Sequence, residues 1–313
     1  MGFRLAALAL FFAASAPAEP AELKDPPCSA LLIGWDGVSR DRIKEALAQG
    51  ALPNLKRLAA GGALVAIDIH RRTETVPGWT QILTGYEPER TGAYTNSDFV
   101  QIPKGYTIFE RLKDRYKERI SVGSISFMRA EDMPADEVAA RGDEILRFQS
   151  KGLLRNASPA MDFVVHEGLN DRVGAAALKT LESVDGRSFF YFFLFKEPDV
   201  AAHDHKDGSS EQRKAIAAAD AWLGRIMDRL KEKGLDRRTF LYVTADHGFD
   251  VGTDHHSDAP YVFLATNDAT ISRRGDRVDI GPTILERFGI DTRKIDPPLD
   301  GHALNKDHTP ANW

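Results

Sequence analysis

The sequence predicts an α/β fold with a mostly parallel central sheet, helices on both faces and a small insertion. Three observations carry this. Short apolar runs of strand length alternate with helical stretches along the chain. The strongest runs are continuously apolar, as strands buried on both faces are, rather than alternating. Acidic residues and histidines gather directly after these runs, at the strand ends where open α/β sheets bind ligands.

The elements follow in order. Ser29 to Trp35 reads as a buried parallel strand ending in the Asp36-Gly37 turn. Arg42 to Gln49 reads as a helix stopped by Gly50. Pro53 opens a second helix with Leu55, Leu58 and Ala59 on one face and Gly61-Gly62 as its stop. Ala63 to Ile69 is strand-like, and Pro77 to Leu83 is a helix opened by proline and closed near Gly85. Arg119 to Ile125 is a further strand. Ser188 to Phe195 is the strongest strand signal, and it breaks off at Lys196-Glu197-Pro198-Asp199. Ser209 to Lys233 is a long amphipathic helix with Ile216, Ala219, Leu223, Ile226 and Leu230 at helical spacing. Thr239 to Thr244 and Tyr261 to Ala265 are strands. Ile280 to Phe288 closes the chain as a helix, with Asp279 as its expected N-cap and Gly289 as its stop.

Composition narrows the classes. The chain has 313 residues, 42% of them hydrophobic, enough for a full core and too apolar for disorder. One cysteine, Cys28, excludes a disulfide framework and a Cys-rich zinc site. It reads as a small buried residue. A net charge of −5 excludes a general binder of nucleic-acid duplex or anionic membrane. Arg4, the apolar run Leu5 to Ala14 and the small residues Ala16-Pro17-Ala18 form an export signal over 1–18, too short to span a bilayer. The protein is therefore expected to be periplasmic or secreted. Residues 26–313 are expected to form the catalytic domain, and the more polar stretch at about 96–186 an insertion that shapes the site.

The candidate chemistry lies in Asp36, Asp199 with His203, Asp246-His247 and His255-His256. All fall at or beside strand ends, so the fold would bring them to one edge. Asp199 and His203 are four apart and share a face if the turn after Pro198 is helical. Carboxylates with neutral imidazoles suit zinc, manganese or iron rather than calcium. There are enough ligands for two ions, the usual apparatus of phosphoryl transfer.

Longer motifs surround these residues: Ile33-Gly34-Trp35-Asp36-Gly37, Thr73-Glu74-Thr75-Val76-Pro77-Gly78-Trp79-Thr80, Leu83-Thr84-Gly85 and Glu197-Pro198-Asp199 with His203. Thr244-Ala245-Asp246-His247-Gly248 and His256-Ser257-Asp258-Ala259-Pro260 continue the series, and Leu299-Asp300-Gly301 ends it. Together they resemble the alkaline phosphatase superfamily, and within it the type I phosphodiesterase and nucleotide pyrophosphatase branch. The resemblance implies one ion on Asp199, His203 and His256 and a second on Asp36, Asp246 and His247. It implies Thr75 as metal-bound nucleophile, carrying a phosphothreonine intermediate. Zinc is the expected metal, and manganese and iron fit the same ligands. His256 is preferred to His255 because the spacing of the branch reaches Pro260 only from His256.

One departure stands out. The branch usually carries Asn three residues after the nucleophile as a phosphate contact. Here that residue is Gly78, so that donor is missing or is supplied by a backbone N–H or another side chain, which leaves the substrate class open. The expected activity is hydrolysis of a small phosphodiester or pyrophosphate, with a nucleotide as one such substrate. Phosphomonoester hydrolysis by the same site is the first alternative, and a non-catalytic metal- or ligand-binding homologue the second. No membrane span is expected, and the sequence leaves the oligomeric state open. Trp35, Trp79, Tyr94 and Phe99 are expected to pack rather than to stack on a base.

Overall fold

The computed structural model describes residues 25–127, 158–167 and 169–305. The expected export signal lies outside them. Among the described residues, eight strands form one sheet: β1 (Ser29–Trp35), β2 (Ala63–Asp68), β3 (Ile120–Phe127), β4 (Phe163–Glu167), β5 (Ser188–Phe195), β6 (Thr239–Thr244), β7 (Tyr261–Thr266) and β8 (Gly275–Asp276). Their order across the sheet is β4-β3-β5-β1-β6-β7-β2-β8. β1 pairs in parallel with β5 and β6, and β3 in parallel with β4 and β5. β7 runs against both of its neighbours, β6 and β2.

The helices are α1 (Arg40–Ala48), α2 (Pro53–Ala60), α3 (Thr75–Thr84), α4 (Pro88–Thr91), α5 (Ile108–Tyr116), α6 (Asn170–Glu182), α7 (Glu197–His205), α8 (Ser210–Glu232) and α9 (Arg277–Arg287). Successive strand residues point to opposite faces, and every residue of β1 and β5 is buried. Both faces of the sheet centre are therefore covered, as the continuous apolar runs predict. The aromatic run of β5 splits by that alternation. Phe190 meets Phe109 of α5 at 5.2 Å and Phe192 meets Trp79 of α3 at 5.1 Å, while Tyr191 on the other face meets Phe163 at 4.9 Å. Each such ring contributes about 2 kcal/mol of burial. α8 buries its predicted apolar stripe and is capped by Ser209, whose hydroxyl accepts from the Gln212 N–H at 3.1 Å.

Two helix starts differ from expectation. α3 begins at Thr75, with Pro77 in its first turn, where proline removes no helical hydrogen bond. α9 begins at Arg277 with Asp276 as N-cap. Asp279 instead takes the third helical position, and its side chain closes a capping box on the Asp276 N–H at 3.0 Å. Inside 96–186, where the insertion is expected, β3, β4, α5 and α6 belong to the sheet and its covering helices, and 128–157 lie outside the described residues.

The two edges of the sheet end differently. At the edge where β7 finishes, Asp268 is buried and fully engaged. Arg287 donates to its two oxygens at 2.5 and 2.7 Å, the Tyr242 hydroxyl donates at 3.1 Å, and Thr270 donates from its N–H and its hydroxyl. Cys28 lies close by, donating to the Arg287 carbonyl at 3.3 Å. Burial pushes its thiol up to about 12, so it stays an inert, small buried residue. No helix of the described residues is long and apolar enough to cross a membrane.

Candidate active site and metal centre

The opposite edge collects the residues singled out in the sequence. β1 delivers Asp36, β5 leads into α7 with Asp199 and His203, and β6 delivers Asp246 and His247. Because β7 is antiparallel, its N-terminal end lies at this same edge. His256, which precedes a strand rather than following one, therefore arrives beside groups that follow strands. The turn after Pro198 is helical, and the four-residue spacing sets His203 Nε2 3.4 Å from Asp199 Oδ1.

His247 is the hub. Its Nε2 lies 3.6 Å from Asp36 Oδ1, 3.8 Å from Asp199 Oδ1, 3.4 Å from Asp246 Oδ2 and 3.2 Å from Thr75 Oγ1. The three carboxylate oxygens are buried and lack a hydrogen-bond partner. Asp36, Asp246 and His247 have no exposed surface at all. Asp199, His203 and His256 hold ligand atoms within 4.8 Å of one another, and so do Asp36, Asp199 and His247. The structure thus gives Asp199 a place in both groups, with Asp246 beside the second.

The histidines share one further arrangement. The Nδ1 atoms contact backbone carbonyls: Asp254 at 2.8 Å for His203, Gly248 at 3.0 Å for His247 and Thr73 at 2.5 Å for His256. A carbonyl can only accept, so each Nδ1 carries the proton. In the neutral ring Nε2 is left with its lone pair, the tautomer a metal ligand requires. Burial drives the His247 ring down to about 4 and the His256 ring to about 3, keeping both neutral. For His203 burial also pulls downward, but the Asp199 carboxylate 3.4 Å away outweighs it and raises the ring. Burial raises Asp36 well above the carboxylate range, helped by the charge of Asp246, and lifts Asp246 to about 7. Orphaned carboxylate oxygens facing imidazole lone pairs form a set of acceptors that a divalent cation satisfies, so the residues fit the metals expected here.

Thr75 stands at the N-terminus of α3, where the first backbone N–H groups have no helical partner. Two glycines make room for this geometry. A Cβ on Gly34 would meet the Trp79 ring at 2.4 Å, and that indole donates to Asp36 Oδ2 at 3.3 Å. A Cβ on Gly78 would meet Asp246 Cβ at 2.8 Å and Arg277 Nη1 at 2.9 Å. A side chain at this position is therefore excluded by Asp246 and a buried arginine. Arg277 donates to the Asp246 carbonyl at 2.6 Å and to the Arg72 carbonyl at 2.9 Å, tying two site loops together.

Three site residues escape the sequence reading. Asn96 accepts from the Val76 N–H at 2.8 Å, which puts a side-chain amide at the head of α3, next to Thr75. Lys196 extends its Nζ to 2.7 Å from Asp199 Oδ2 and 3.3 Å from Asp36 Oδ1. Arg277 is the third. His255 stands apart from the cluster, exposed and held by Asp250 at 2.8 Å. Trp35 and Trp79 are fully buried as packing residues, while Tyr94 is exposed.

This fold, with a Thr-headed helix facing an Asp/His cluster at the strand ends, defines the class: an alkaline phosphatase-like α/β protein. Among solved structures it resembles a protein of the alkaline phosphatase superfamily from Vibrio parahaemolyticus, with a TM-score of 0.61, 18% identity, and coverage of 91% of this chain and 71% of that one. The family model for type I phosphodiesterase / nucleotide pyrophosphatase matches residues 30–300, and the chain belongs to that family. It is similar to ectonucleotide pyrophosphatase/phosphodiesterase family member 1 of Mus musculus, 28% identical over 256 residues, covering 79% of this chain and 26% of that protein. A shorter match, 30% over 123 residues, links 36% of the chain to 22% of a 2,3-bisphosphoglycerate-independent phosphoglycerate mutase from Clostridium kluyveri. The chain spans about a quarter of the length of the first of these curated relatives.

Proposed function

We propose that the protein is a two-metal phosphoesterase that cleaves small phosphodiester or pyrophosphate bonds, nucleotides among them, through a phosphothreonine on Thr75. The observation that supports this is the cluster of Nε2 lone pairs and buried carboxylate oxygens without hydrogen bonds, which the Thr75 hydroxyl meets at His247 Nε2, 3.2 Å away. Asp199, His203 and His256 would hold one ion, and Asp36, Asp246, His247 and Thr75 the other. Zinc is the first expectation, and manganese or iron suits the same ligands. The ions supply Lewis-acid charge to the attacking and leaving oxygens.

The remaining work falls to the chain itself. The Thr75 hydroxyl loses its proton to solvent water as Oγ1 attacks phosphorus, and a proton from water goes to the oxygen of the departing group. The P–O bond to the leaving group breaks and the phosphoryl group stays on Thr75. Water then attacks phosphorus and frees the threonine. The N-terminus of α3 favours the incoming anion, and Asn96 supplies the amide that Gly78 lacks. The signal over 1–18 supports action in the periplasm or outside the cell, with residues 26–313 as the catalytic domain.

The test compares a chromogenic phosphodiester with the corresponding monoester, using protein of measured zinc content. We expect two zinc ions per chain and faster turnover of the diester. Thr75→Ala should lower turnover by about 10⁴-fold or more, compared at saturating zinc because Thr75 is itself a proposed ligand. A monoester preference would reassign the substrate class, and an active Thr75→Ala would remove the covalent mechanism.

A further inference from the structure

Lys196 lies inside the centre, and the proposed reaction gives it no part. It follows β5 directly and stands at the N-cap of α7, between the strand end and the helix that carries Asp199. The side chain is 8% exposed at the residue level. Its ammonium touches one oxygen of Asp199 and one of Asp36. Asp199 belongs to both candidate ligand groups and Asp36 to one. Lys196 therefore bridges the two carboxylates that the groups have to bring together.

Three buried carboxylates in one cluster repel one another, and the low local dielectric strengthens that repulsion. The neutral rings of His247 and His256 do not offset it. A fixed cation between two of the three does. The Lys196 ammonium lies 2.7 Å from Asp199 Oδ2 and 3.3 Å from Asp36 Oδ1, close enough to offset the charge of both. A resident ammonium has a second effect. It repels any divalent ion drawn to the same carboxylates.

We propose that Lys196 is a built-in cation of this centre. It keeps Asp36 and Asp199 assembled in the metal-free protein, and it weakens binding of the ion that uses Asp36. Lys196 is thus a positioning residue that sets metal affinity, and it leaves the loaded centre one charge more positive towards an anionic substrate. The proposal rests on the reading of the site as a metal centre, and the test separates the two.

The full chain is stripped with a chelator and titrated with zinc against a competing chromophoric chelator. Thermal midpoints are recorded for the metal-free and zinc-loaded forms. If the wild type binds no zinc, the metal-centre reading fails and this proposal falls with it. If the wild type binds zinc, Lys196→Met and Lys196→Gln are compared with it. Gln keeps the length and a donor without the charge, and so serves where Met does not fold. Both should bind the weaker zinc at least about tenfold more tightly. Their metal-free midpoints should fall further than their zinc-loaded midpoints. Lys196→Arg, which keeps the charge, should stay near the wild type in both measurements. Unchanged or weakened zinc binding in the two neutral variants, or equal loss of both midpoints, would overturn the role of Lys196 and leave the metal reading intact.

Discussion

The sheet has a buried acidic centre at each edge, and the two are built on opposite terms. At the edge where β7 ends, Asp268 meets Arg287, Tyr242 and Thr270, so both of its oxygens are engaged. At the other edge, Asp36, Asp199 and Asp246 each keep a buried oxygen without a hydrogen bond. Burial costs the same at both edges. A group whose partners come from the chain serves folding. A group left short of hydrogen bonds keeps acceptor capacity that a bound cation can use.

Exchanging the charge for an amide at each edge gives the largest expected contrast. Asp268→Asn strands the Arg287 guanidinium and should cost about 3–5 kcal/mol of unfolding free energy in urea, with turnover per folded molecule unchanged. Asp246→Asn should leave the metal-free protein as stable as the wild type or more so, because burial already disfavours the charged form, while zinc binding is lost. Equal destabilisation by the two substitutions would break the comparison.

Crowding at the acceptor-rich edge comes next. Gly78→Ala pushes a methyl group against Asp246 and Arg277 and should cost about 1–3 kcal/mol. Zinc affinity should fall with it, because Asp246 is the neighbour that must move. Acid sharpens the contrast further. The Asp246 carboxyl is raised to about 7, so below that pH it binds a proton that zinc must displace. Affinity should fall at least about tenfold per unit as pH drops below 7, or about 1.4 kcal/mol per proton, as read by chelator competition at fixed pH. His247 and His256, at about 4 and about 3, add no proton in the upper part of that range. The smallest effect is expected from Trp79→Phe, which removes one N–H from Asp36. A loss of about 1 kcal/mol in stability, with zinc affinity within tenfold, is the predicted result.

The candidate ligands were legible because strand ends advertise themselves. Asp36, Asp199 and Asp246-His247 each follow an apolar run, and His203 follows Asp199 at helical spacing. His255-His256 was legible as a pair beside a strand, and the choice of His256 over His255 came from the family spacing to Pro260. The residues that support the ligands were not legible. Lys196 sits in a charged run that reads as a solvated turn, and only the burial of both strand and helix shows otherwise. Asn96 reaches the head of α3 from an irregular loop with no periodic signal. Arg277 resembles an ordinary charge at a helix start, yet it is wholly buried. In the fold, α5 had an available signal, the capping box formed by Thr107 and Glu110, directly before an apolar turn. β4 is five residues long with a neighbour in the sheet on one side only, and gave no strong run.

The reversed direction of β7 has a mechanical consequence. The segment from β6 to β7 leaves the sheet and returns to it at one edge, with Thr244 paired to Leu264 at its base. Asp246, His247 and His256 all lie on this one excursion, pinned at both ends to adjacent strands. Asp36, Asp199 and His203 are carried by the parallel strands on the other side of the β1–β6 seam. An ion that takes ligands from both groups works as a clasp across that seam. It would join the loop ends above a seam that the β1–β6 ladder already holds from Ser29 to Gly34.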